Sequence, residues 1–304
     1  MKVIITGATG FIGSALCKEM LMAGHSVTAV VRPGSSRITK LPQDVSVIEM
    51  ELDKLSELAG DYDLFYHLAW NGSSGEERND FHIQLSNITY TVEAVQAAKR
   101  CGCQRFIGAG SQAEYGVVPV LCSEDTTPHP FNMYGAAKLA AYHVANTVAE
   151  QANITFIWPR IYSVYGIGEN SDTLLSYLIN SLEAGEVPQL SNCENMWDFL
   201  YITDCTATLK LLAEHQEASG IYNLSYGDPK PLKNYVELVR DLVAPGIELR
   251  FGARSSDITR TYWLEPSINK IKELGFKPNI KFDDGISLIT RSRKGGNNER
   301  SSCR

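Results

Sequence analysis

Short apolar runs rich in β-branched and aromatic residues alternate along the chain with longer stretches whose apolar positions recur every three to four residues. The runs at residues 1–5, 25–31, 45–50, 64–69, 104–109 and 155–159 predict strands. The amphipathic stretches at 14–21, 81–99 and 131–150 predict helices. Strands alternating with helices of this length imply βαβ units and a parallel sheet. Beyond residue 168 the rhythm changes. A helix at 172–184, a strand at 198–202, a helix from 204, a strand at 221–224, a helix at 232–242 and a short helix near 266–274 are expected there. The fold predicted is α/β, a Rossmann-like doubly wound parallel sheet with a smaller α/β C-terminal lobe. Residues 1–166, with 196–225 returning to them, form the sheet domain. Residues 167–195 and 226–290 form the lobe over the sheet's carboxyl edge, where open α/β sheets take ligands. The tail at 291–304 is polar and rich in Gly and Arg, and is expected to be disordered.

The first strand runs straight into Gly7, Gly10 and Gly13, and a helix follows at once. In this order a backbone cradles a dinucleotide pyrophosphate: one glycine permits the tight turn, the next lets the main chain approach the phosphates, and the third lets helix pack on sheet. The helix N-terminus adds free N–H groups and a positive dipole end. A net charge of −7 argues against a nucleic-acid partner. Seven cysteines without framework spacing suggest reduced thiols and a cytoplasmic location. Cys101-Gly102-Cys103 reads as a helix end rather than a metal clip, because no second Cys or His pair stands at zinc spacing. No metal site, signal peptide or membrane span is expected.

The end of the second strand selects the dinucleotide. An NAD site usually places Asp or Glu there for the ribose hydroxyls. Here Val31 holds that place and Arg32 follows, a cation able to pair with a 2′-phosphate, with Arg37, Ser35 and Ser36 close behind. NADP(H) is therefore favoured, with NAD still possible. Tyr134 and Lys138 are four apart in a helical stretch and share a face. An ammonium near a phenol lowers the phenol's pKa from ~10 toward the working range of an acid–base group. Ser111 offers a hydroxyl at the carboxyl edge of the fifth strand, among small residues that leave room for a ligand.

In order along the chain, these pieces resemble the extended short-chain dehydrogenase/reductase family, also called NAD-dependent epimerase/dehydratases. The points of resemblance are the Gly7–Gly10–Gly13 loop, Tyr66-His67-Leu68-Ala69, Asn87, Ser111, Tyr134-Gly135-Ala136-Ala137-Lys138 and residues 160–166. Residues 197–204 and Tyr222-Asn223-Leu224 continue the pattern to about residue 278. The resemblance implies that Tyr134 is the catalytic acid/base, that Lys138 holds the nicotinamide ribose and tunes Tyr134, and that Ser111 hydrogen-bonds the reacting oxygen. It also implies a cofactor site that includes Thr9, Phe11, Ile12, Leu52, Leu68, Ala69, Asn87 and Ile161. The substrate class it implies is nucleotide-activated sugars, and the assembly a homodimer through the two long helices.

Departures from the family pattern narrow the reaction. Sugar 4,6-dehydratases carry an Asp-Glu pair directly after the Ser/Thr position, where this chain has Gln112 and Ala113. Glu114, one place on, is expected to turn to the other side. A dehydratase is therefore disfavoured. Arg32 favours a reductase that draws on NADPH, acting on a 4-keto-6-deoxy sugar nucleotide. An NAD-dependent 4-epimerase, a reductase of non-sugar carbonyls and an NADP-sensing binding module are the alternatives. Ser163 and Trp197 replace the family's usual Asn and Arg on the substrate side. Arg254 or Arg260 is a candidate for the phosphate contact, and Trp70 and Gln112 for the sugar pocket.

Overall fold

The computed structural model describes residues 1–254 and 263–301, with side chains through residue 294. Its strands are β1 (Lys2–Thr6), β2 (Ser26–Val31), β3 (Ser46–Glu49), β4 (Leu64–His67), β5 (Arg105–Gly108), β6 (Gly110–Ser111), β7 (Thr155–Ile161), β8 (Ser163–Tyr165), β9 (Met196–Trp197), β10 (Phe199–Tyr201), β11 (Gly220–Leu224) and β12 (Lys230–Pro231). The helices are α1 (Phe11–Met22), α2 (Phe81–Arg100), α3 (Met133–Gln151), α4 (Leu174–Glu183), α5 (Ile202–Glu214), α6 (Leu232–Val243), α7 (Asn269–Glu273) and α8 (Phe282–Ser301). The main sheet is parallel in the order β11-β7-β5-β4-β1-β2-β3, with β6 paired to β7 beyond the end of β5. The order reverses between β1 and β4, and a doubly wound sheet opens a crevice at that point.

Small residues let the helices lie close to the sheet. Ala137, Ala141, Ala145 and Ala149 repeat every four positions on α3, all buried, and Ala94, Ala97 and Ala98 line the inner side of α2. They close over Phe65, Phe106, Phe156 and Trp158. On the other face Leu16, Cys17 and Met20 of α1 pack with Cys205, Leu209 and Leu212 of α5. Cys101 caps the C-terminus of α2, as its position beside Gly102 predicts. The six described cysteines are free and buried.

Two local readings fail for physical reasons. The sixth strand does not stop at Pro159 but continues as β7 to Ile161. Pro159 has no N–H to give, and the neighbouring ladder is interrupted beside it, since β5 ends at Gly108 and β6 begins at Gly110. The second miss is α8. Gly285 argues against a helix by propensity, yet a Cβ there would collide with the Tyr165 hydroxyl, so glycine is what lets α8 dock. Ile286 and Ile289 of α8 join Leu178, Leu182, Val236 and Val239 in the lobe's core. The tail expected to be disordered instead prolongs α8 to Ser301. There Arg293 donates to Asn180 and lies 3.4 Å from the Glu183 carboxylate. Residues 302–304 lie outside the described residues.

Buried carboxylates join the lobe to the sheet. Asp198 accepts from Ser225 Oγ and Gly227 N–H, and Asp204 from the N–H groups of Asn279 and Ile280. Among the described residues no helix is long and apolar enough to cross a membrane.

Candidate active site

A cleft of about 370 Å³ opens at the carboxyl edge of β1, β2 and β4. Its floor is the glycine turn. Gly7 has φ +71°, and a Cβ there would come within 2.5 Å of Ala69 N. A Cβ on Gly13 would collide with Gly7 O, so α1 reaches the turn only because residue 13 has no side chain. Gly10 caps α1 with no side-chain cap bond, and no acidic residue stands in the first turn. The helix's first N–H groups and positive dipole end therefore face the cleft without competition. A glycine-rich turn below a helix N-terminus fits a dinucleotide pyrophosphate.

Thr9, Phe11, Ile12, Leu52, Leu68, Ala69 and Ile161 line this cleft, as expected of a cofactor site. At the end of β2, Arg32 and Arg37 line it too, joined by Lys40, a third cation that sequence reasoning passed over. No carboxylate is among the residues lining the cleft. Glu51 and Asp53 line a smaller adjoining pocket together with Arg32. Asn87, expected at the cofactor, is instead buried on α2. Its amide oxygen accepts from Asn71 N–H, and its NH2 donates to Asn71 O and Ile83 O. It clamps a lining residue rather than lining the cleft.

Tyr134 and Lys138 of α3 and the turn that carries Ser111 gather beside Trp70 and Ala109, which line the cleft, though none of the three is itself a lining residue. Asn132 caps α3 by accepting from Gly135 N–H at 2.8 Å. A Cβ on Gly135 would collide with Ala113 O, so the first turn of α3 sits directly on the turn that carries Ser111. Lys138 is buried and donates to Ala109 O at 2.6 Å, with its Nζ 3.6 Å from the centre of the Trp70 ring and 5.8 Å from that of Tyr134. Burial pushes its ammonium down to about 7, partly opposed by the Glu114 carboxylate. Tyr134 meets Trp70 edge-on at 6.0 Å.

Ser111 is buried, and its Oγ accepts from Ala113 N–H at 3.2 Å, which leaves its proton free to donate. Beneath it lies a network that starts from a capping box, Ser111-x-x-Glu114, a motif the sequence reading passed over. Glu114 is fully buried and accepts from Ser111 N–H (2.8 Å), Trp158 Nε1 (2.9 Å) and Arg160 Nε (2.7 Å). Arg160 stacks on the Tyr115 ring, and the Tyr115 hydroxyl donates to Asn223 Oδ1. Glu114 is thus engaged beneath Ser111, as expected, but a 3-10 turn at Gln112–Glu114 rather than alternation along an extended segment puts it there. Gly108 and Gly110 do not make room for a ligand: a Cβ on either would strike the Trp158 indole. His67, at the end of β4, shares a 2.9 Å hydrogen bond with Thr6. Burial, helped by the Lys138 charge, drives its imidazole down to about 3, so it stays neutral.

The substrate-side residues are more scattered. Gln112 follows Ser111 directly, with its Oε1 buried and unpartnered among the described residues. Trp197 packs with Tyr115, Cys122, Tyr162 and Leu264 beside that turn. Ser163 pairs with Phe199 across β8 and β10. Arg254 is exposed and is not among the residues lining the cleft; its backbone N–H donates to Leu190 O. Arg260 lies outside the described residues.

Known proteins are similar to this chain along its length. The UDP-glucose 4-epimerase of Corynebacterium glutamicum is 27% identical over 91% of this chain and 91% of its own length. The dTDP-4-dehydro-6-deoxyglucose reductase of Escherichia coli is 24% identical over 95% of this chain and 96% of its own. The solved structure of MoeE5 in complex with UDP-glucuronic acid and NAD matches with a TM-score of 0.85 at 26% identity, covering 97% of this chain and 100% of that one. The model of the NAD dependent epimerase/dehydratase family matches residues 3–225, the span that holds the glycine turn, Ser111, Tyr134 and Lys138, and the chain belongs to that family.

Proposed function

We propose that this chain is an NADPH-dependent reductase of a 4-keto nucleotide-linked hexose, with Ser111, Tyr134 and Lys138 as its catalytic residues. The observation that carries the choice is the cluster of Arg32, Arg37 and Lys40 just past β2, with no carboxylate among the described residues that line the same cleft. Three cations suit a ribose 2′-phosphate. A bound nicotinamide supplies the hydride. The chain's own residues handle the oxygen and its proton. The Ser111 hydroxyl donates to the sugar's carbonyl oxygen, and Tyr134 gives that oxygen its proton as charge develops. Lys138 stabilises the tyrosinate left behind.

An NAD-dependent 4-epimerase is the second reading. Glu51 and Asp53 share a pocket with Arg32 and could neutralise it, and NAD is the dinucleotide named for the MoeE5 structure. The exposed apolar residues Phe81 and Leu85 on α2, with Met133 and Val144 on α3, support pairing of two copies through these helices.

Titration of NADPH and NADH into wild type and Arg32→Ala tests the proposal, with turnover of dTDP-4-dehydro-6-deoxyglucose as the probe, the sugar nucleotide named for the E. coli relative. NADPH is expected to bind ~10-fold tighter than NADH, and Arg32→Ala to erase that difference. Equal affinities unaffected by the substitution, with no reduction of the 4-keto sugar but interconversion of UDP-glucose at C4 without added reductant, would overturn the reductase in favour of the epimerase. Tyr134→Phe is expected to cost at least ~10²-fold in turnover with cofactor affinity intact.

A further inference from the structure

The segment between β4 and α2 carries side chains onto the catalytic pair. Trp70 lies on Lys138 and against Tyr134. Eight residues later the Arg78 guanidinium carbon sits 4.1 Å from the centre of the Tyr134 ring. Two buried amides on the inner face of α2 hold the segment down. Gln84 accepts from Trp70 Nε1 at 2.9 Å and donates to Gly72 O at 2.8 Å and Glu77 O at 3.0 Å. Asn87 clamps Asn71 from both sides. Gly72 and Gly75 take φ of +65° and +64°, which shapes the turn, and Arg78 Nη1 donates to Ser73 O at 3.0 Å.

We infer that Arg78 is a positioning residue for the proton-transferring phenol: held over the Tyr134 ring by the Gln84-anchored segment, it supplies a permanent positive charge that favours the tyrosinate. The inference rests on the reading of Tyr134 as the acid–base residue. A guanidinium remains charged at every pH a protein survives, whereas an ammonium under an indole ring loses its proton when desolvated. Lys138 is in that position, so its charge varies through the neutral range. A cation on an aromatic face is attracted to the neutral ring and far more strongly to the phenolate, because one unit charge then meets another.

Other charged groups flank the site. Glu114 and Arg160 pair with each other, and His67 is neutral. Asp80 accepts from His82 and Ile83 N–H groups at the start of α2, and Glu76 and Glu77 are exposed on the segment itself. Glu93 lies a further three turns along α2.

The test is an ultraviolet titration of the Tyr134 phenolate in NADP-loaded protein, with Tyr134→Phe subtracted to remove the other tyrosines, for wild type, Arg78→Met and Arg78→Lys. The pH profile of kcat/KM is measured on the same variants. Arg78→Met is expected to raise the phenol's midpoint by about one pH unit and move the kcat/KM profile with it, while Arg78→Lys restores part of the shift and cofactor affinity holds. An unmoved midpoint in folded Arg78→Met would overturn the inference, as would a midpoint moved equally by Arg78→Lys, which keeps the charge. The titration needs no turnover, so the role of Arg78 and the catalytic role of Tyr134 fail separately. Full activity in Tyr134→Phe would remove the catalytic role, and an unmoved midpoint would remove the role of Arg78.

Discussion

At the dinucleotide end of the cleft the protein presents backbone, and at the catalytic end it presents side chains. The glycine turn and the bare N-cap of α1 create most of the first surface from residues adjacent in the chain, and the backbone of Ala69, just past β4, closes against it. The second surface collects Trp70, Arg78, Ser111, Tyr134 and Lys138 from three separate segments. A second layer from α2, β7 and β11 then holds it in place: Gln84 and Asn87, Arg160, and Asn223. A backbone site tolerates almost no added atom but needs little support. A side-chain site tolerates change at its surface and depends on what lies beneath.

Breaking the layer beneath should have the largest effect. Glu114→Gln leaves the Arg160 guanidinium buried without its counter-charge, and ~3–5 kcal/mol of stability should be lost in a denaturant melt. Were Glu114 instead a reacting acid, the substitution would stop turnover and leave the melt unchanged.

Gly13→Val attacks the other end. The new side chain must push α1 off Gly7, at a cost of about 3 kcal/mol, and dinucleotide binding should disappear in a fluorescence titration while the protein still folds. Retained binding would mean that the turn yields more readily than its contacts imply.

Acid should expose the smallest difference. Burial holds the His67 pKa near 3 against 6.5 for the free side chain. Between those values the unfolded chain binds a proton that the folded one does not, so stability falls as pH falls through that window. The slope approaches ~1.4 kcal/mol per pH unit where the difference is complete. His67→Asn should flatten that part of the stability–pH curve relative to wild type. An unchanged slope would show that other groups govern the acid response.

The same contrast separates what could be read early from what could not. The turn at Gly7, the cation at Arg32 and the Tyr134–Lys138 spacing are local patterns, and local patterns survive in a linear reading. Gln84 resembled an ordinary polar position of an amphipathic helix, and Asn87 was expected at the cofactor rather than on the backbone of Asn71. Their i, i+3 spacing on the inner face was the available signal, since an amide turned inward must find partners. Glu114 and Arg160 lie 46 residues apart, and nothing in either neighbourhood names the other.

By itself the sequence determined the alternation of strands and helices, the glycine turn and the residue types of the proposed catalytic set, because backbone freedom, periodicity and i, i+4 spacing act within a few residues. Tertiary structure decided that β7 runs past Pro159, that Gly285 admits a helix against Tyr165, that Gly108 and Gly110 serve Trp158, and that Arg78 lies over Tyr134. Each of these depends on an atom from a distant segment occupying or leaving a particular space, a relation with no local trace in the chain.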